Sequence, residues 1–124
     1  MSDDNHSTVQ RTIVNFLARF EREITEIKEL LLRILTSKNK EEIFKEMYEK
    51  LGLIYKGLGV IRDEKRLEGV SAGELAKIEL LQKHVLKIKL SLETETIPIL
   101  IALLESLEQR INNVLGNPRH YKNL

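Results

Sequence analysis

Among the residue types that most often carry chemistry, this 124-residue chain has three histidines, three tyrosines and 19 aspartates and glutamates, and it contains no cysteine. That absence removes thiolate metal sites, cysteine nucleophiles and disulfides together. His6, His84 and His120 are scattered along the chain. None has the Glu-x-x-His or His-x-x-x-His spacing that sets two metal ligands on one helix face. His84, near Lys83 and Lys87, reads as a solvated surface residue. No glycine-rich turn follows a strand, so there is no phosphate-cradling loop. With neither a nucleophile and its base nor a metal set, the sequence reads as a protein that is not an enzyme and takes no cofactor.

Two short stretches resemble motifs of known proteins. Glu46 and Glu49 form an ExxE pair, a spacing that resembles one half of the metal motif of the all-helical nucleotide pyrophosphohydrolases. The ExxD half does not follow, and the two glutamates are read as part of a solvated helix face. Gln10, Ile13, Phe16 and Leu17 resemble the sliding-clamp-binding peptide: a glutamine, an aliphatic residue at the fourth position and large hydrophobics at the seventh and eighth. Leu17 stands where such peptides usually carry a second aromatic. The resemblance implies a hydrophobic plug on a short helical turn and a clamp as partner.

The elements that position these residues are helices. Ile13, Leu17, Phe20, Ile24, Ile27, Leu31 and Ile34 recur at spacings of three and four, the signature of an amphipathic helix. Ser7 and Gln10 have capping-box spacing, which places its start near Thr8. Asn39 with Glu42 and Ser71 with Glu74 repeat that spacing. The second seam is Phe44, Met47, Leu51, Ile54, Leu58 and Ile61; it keeps its phase through Gly52, Gly57 and Gly59. One helix, straight or bent at Gly57, is therefore preferred to two. The third seam is Leu75, Ile78, Leu81, Val85, Ile88 and Leu92, and the fourth is Ile97, Leu100, Leu104, Leu107, Ile111 and Val114. Residues 88–93 also alternate as a half-buried strand would, but the helical run before them favours helix. Pro98 suits a first helical turn, or else a kink in one continuous helix. The expectation is an all-α, up-down-up-down antiparallel four-helix bundle with helices at 8–36, 40–67, 72–93 and 97–115. A flexible N-terminus (1–7) and a polar tail (117–124) flank it.

Composition narrows function only by class. Twenty basic and 19 acidic residues leave a formal net charge of +1, without the basic excess usual in duplex binders. No apolar run approaches the roughly 20 residues that span a bilayer, and the acidic, polar N-terminus is not a signal peptide. The protein is read as cytoplasmic, without membrane contact.

Three surfaces are left for function. Leu86, Leu90, Ile99 and Leu103 add apolar area beyond one stripe per helix, which points to a homo-oligomer, most simply a two-fold dimer. Tyr48, Gly52, Tyr55, Gly59 and Arg62 recur at fours and threes. They form either a docking groove for a protein partner or a packing seam for a helix of the same chain. Arg62, Lys65, Arg66, Arg119 and Lys122 gather at one pole in an antiparallel layout and could meet nucleic-acid phosphates. Acidic residues share that pole. The sequence reading is a self-associating interaction or structural module with an unidentified protein partner. The alternative is an accessory factor of nucleic-acid transactions.

Overall fold

The computed structural model describes residues 2–116, with side chains from residue 9 onward. It contains four helices: α1 (Ser2–Ile34), α2 (Lys40–Leu67), α3 (Ala72–Ser91) and α4 (Ile97–Leu115). Each packs on its sequence neighbours and α1 closes on α4, while the backbones of the diagonal pairs α1–α3 and α2–α4 do not approach closely. The result is a four-helix bundle around a single core. Contacts run in opposite senses along neighbouring helices. Lys50 meets Glu23 and Glu26, whereas Gly57, farther along α2, meets Phe20 and Phe16. Likewise Tyr48 reaches Glu93 and Tyr55 reaches Gln82, so α1–α2 and α2–α3 are antiparallel pairs.

The core is the one the seams describe, with shifts at the helix ends. Ile24, Ile27, Leu51, Ile54, Leu58, Ile61, Ile88 and Leu104 are fully enclosed. Phe44 was expected at the start of the second seam, but Ile43 is buried there and Phe44 is only half-buried against the core. Ile34, Ile97 and Val114 are half-buried in the same way. Terminal turns have a neighbour on only one side, so the apolar stripe opens toward solvent there.

Two of the three expected caps form. The Asn39 side chain accepts from the Glu42 amide and Ser71 Oγ accepts from the Glu74 amide, each satisfying one first-turn donor that the helix leaves free. The third falls on Ser7, whose side chain lies outside the described ones; α1 starts at Ser2, six residues before the Thr8 start, so Ser7 lies within the helix and not ahead of it. No residue type from Ser2 to Gln10 is a helix breaker.

The remaining boundaries resolve the open readings. Residues 88–91 are helical, not strand, and a break at 92–96 separates α3 from α4. Pro98 takes an early position of α4, and Gly116 closes it with a φ of 92° and its amide donating to the Asn112 carbonyl. α2 runs unbroken through all three of its glycines. At Gly57 the reason is packing, since the stacked rings of Phe16 and Phe20 lie where a side chain would be.

Candidate functional site

The Tyr48–Arg62 stripe of α2 faces α3. Tyr48 donates from its hydroxyl to Glu93 at 2.9 Å, and Lys89 sits over its ring with Nζ 5.9 Å from the centroid. Burial first, then the Glu93 carboxylate, push the Tyr48 phenol above its ordinary range. Farther along, Gln82 of α3 is buried against the stripe. Its Nε2 donates to the Tyr55 carbonyl at 3.1 Å, and its Oε1 accepts from Arg62 at 3.0 Å. Gly59 makes room for this amide: a Cβ there would stand 3.3 Å from Gln82 Nε2. Spacing alone placed five residues on one face but could not show what covered it. Gln82, which the sequence reading did not single out, is the missing side chain.

The stripe is not closed along its whole length. Around Gly52 nothing lies within 4 Å of an added Cβ. Toward the start of α2 a surface cleft of about 460 Å³ is lined by Glu41, Phe44, Lys45, Tyr48, Glu49, Lys89 and Glu93. The lining combines three carboxylates, two ammonium groups and two aromatic rings.

The apolar set on α3 and α4 divides between two faces. Leu86 and Leu90 stand one turn apart on the outer side of α3, exposed by 41% and 81%. Ile99 is 45% exposed, whereas Leu103 is half-buried against the core. At 100° per residue, Leu86 and Leu90 lie toward the α2 side of α3, marked by Gln82 and Lys89. Ile99 and Leu103 lie toward the opposite side, where α4 meets His84. Leu53, Val60 and Leu67 are further exposed apolar residues. They recur every seven residues on α2, outside any surface the sequence reading named.

The basic pole is partly neutralised. Asp63 lies 3.2 Å from Arg62 Nε and 4.0 Å from Arg66 NH1, and Arg62 also donates to Gln82. Lys65 lines a second cleft, about 410 Å³, with Glu74, Lys77, Ile78, Asn113 and Val114. Arg119 and Lys122 lie outside the described residues. In the clamp-like segment, Ile13 and Leu17 are buried in the core and Phe16 stacks on Phe20, so presenting those side chains to a clamp requires unwinding α1.

The most enclosed ionic cluster joins α1 to α2. Lys50 Nζ donates to Glu26 and, at 3.5 Å, to Glu23. The Lys50 and Glu23 side chains are only 17% and 11% exposed. The Lys50 hydrogen bond holds the Glu26 carboxyl below its usual range, and the Glu26 bond raises the Lys50 ammonium above its own. Within α1 the i, i+4 spacing offers Glu26 only Arg22 as a cation, and an interhelical partner such as Lys50 leaves no periodic mark in one helix.

Glu46 and Glu49 are exposed on α2. Among the described residues no three or more His, Cys, Asp or Glu side chains come together as a metal site. Nor is any helix among them long and apolar enough to cross a membrane. Comparison with protein-family models, curated proteins and solved structures found no match to this chain.

Proposed function

We propose that the chain is a non-catalytic helical-bundle module that associates with a second copy of itself and presents the resulting assembly to a protein partner. The exposure of Leu86 and Leu90 on α3 carries this reading. Two leucines one helical turn apart, open to solvent on a bundle whose core is already complete, are apolar area that the fold does not use. A two-fold axis at the level of Ile88 would set Leu86 of one copy against Leu90 of the other, the self-complementary arrangement that a symmetric dimer needs. Burying a leucine contributes about 1.5–3 kcal/mol, so four of them form a useful centre for such a contact. Lys83, Lys87 and Lys89 around them supply a polar rim.

Light scattering of the full chain across a concentration series tests the reading. A dimer is expected, and Leu86→Lys with Leu90→Lys should convert it to a folded monomer. The stretch around Gly52 and the neighbouring cleft are the part of the α2–α3 seam left open for a partner. Gly52→Leu should weaken partner binding while leaving the helical content unchanged.

A further inference from the structure

We propose that His84 is a proton-operated pin between α3 and α4: neutral, it seats α4 against α3, and protonated, it releases that contact. The imidazole is half-buried on the α4 side of α3, not solvated as its lysine neighbours suggest. Its Nε2 is enclosed and has no hydrogen-bond partner. A neutral ring tolerates this, because an unbonded lone pair costs far less than an unbonded charged N–H. Protonation puts a charged N–H on that enclosed nitrogen, which has no hydrogen-bond partner in this geometry.

The surrounding charges oppose protonation as well. Arg110 acts on the ring from α4 and Lys87 from α3 itself; both are cations. α2 packs on the other side of α3, through Gln82 and Lys89, and contributes no charge that acts on the ring. Only the Leu103 carbonyl of α4 favours the charged form among these neighbours. A charged ring would hold that carbonyl while repelling Arg110, and it gains most by moving with its new proton into water. The seat of α4 is what stands in the way.

Burial, first, and then Arg110 accordingly hold the His84 pKa below its ordinary 6.5. The native state therefore binds fewer protons than the unfolded chain just below pH 6.5. The stabilisation is complete above that value and is lost as the pH falls through the depressed native value. Aspartates and glutamates titrate mainly at lower pH, so the window belongs to histidine.

The test follows the His84 ring by NMR in the full chain, together with amide protection in α4 and thermal midpoints, between pH 7.5 and 5. The ring is expected to titrate below 6.5. Protection around Leu103 and Leu107 should fall as it does, and the wild-type midpoint should drop over the same range while that of His84→Gln drops less. A ring that titrates at or above 6.5 overturns the proposal, as does an equal pH response in wild type and His84→Gln. If His84→Gln does not fold, the ring titration and α4 protection in the unmodified chain decide it: protection that stays constant while the ring titrates overturns the pin.

Discussion

A Cβ placed on Gly57 would stand 2.7 Å from Phe20 Cε1 and 2.9 Å from Phe16 Cδ1. Glycine in a helix interior costs about 1 kcal/mol relative to alanine, yet here it lets α2 lie directly beneath two stacked rings. Phe20 is enclosed by the core and cannot swing aside freely. Crowding a packed core costs about 1–3 kcal/mol, which outweighs the gain in helix propensity. Gly57→Ala should therefore lower stability by about 1 kcal/mol or more. Gly52→Ala, with open space around its Cβ, should raise it by about 0.5–1 kcal/mol. Urea denaturation of the two variants checks both signs.

Gln82 should behave as a lock between α2 and α3. Gln82→Leu removes the bonds to the Tyr55 carbonyl and Arg62, each worth about 0.5–1.5 kcal/mol net. Arg62 retains access to water and to Asp63, so a loss of about 1–2 kcal/mol is expected. A double-mutant cycle with Arg62→Met should give a coupling of about 0.5–1.5 kcal/mol. No coupling would mean that the two side chains act independently.

Lys50→Met should destabilise more than Arg66→Met, because it strands the enclosed Glu23 carboxylate, whereas the Arg66–Asp63 contact is open to solvent and such pairs contribute little. The pH response has two arms. Glu26 is depressed in the fold, so its contribution is present above pH 4.5 and is lost as the pH falls through the lowered native value. Lys50 is raised, so its contribution is present below 10.5 and is lost as the pH rises through the raised value. Thermal midpoints measured from pH 3 to 11 should show both arms flattened in Lys50→Met.

Leu90→Lys taken alone should leave the unfolding free energy of the monomer within about 0.5 kcal/mol of wild type, as for other surface substitutions. Denaturation at dilutions low enough to separate the copies measures this. The result would establish that Leu90 is surface apolar area on which the fold of the monomer does not depend.

The seams were legible because a helix repeats its buried face, so Ile24, Leu58 and Leu104 announce themselves by spacing. So were the Asn39 and Ser71 caps, which are local. What lay beyond reach were contacts between helices whose partners share no local pattern. Gln82 on Tyr55, Lys50 on Glu23 and Glu26, and His84 under α4 all depend on the rotation of one helix against another. The Tyr48–Arg62 stripe lay between these cases: its face was readable and its occupant was not. The start of α1 was misplaced for a different reason. Ser7 and Gln10 have the spacing of a cap, but such spacing also arises inside a helix, and nothing before Ser7 stops one.

The reading of this chain as a self-associating module rests on Leu86 and Leu90, and light scattering across a concentration series tests it most directly. A dimer in the wild type that becomes a folded monomer on Leu86→Lys with Leu90→Lys is the expected result. A wild-type monomer at every concentration would contradict it.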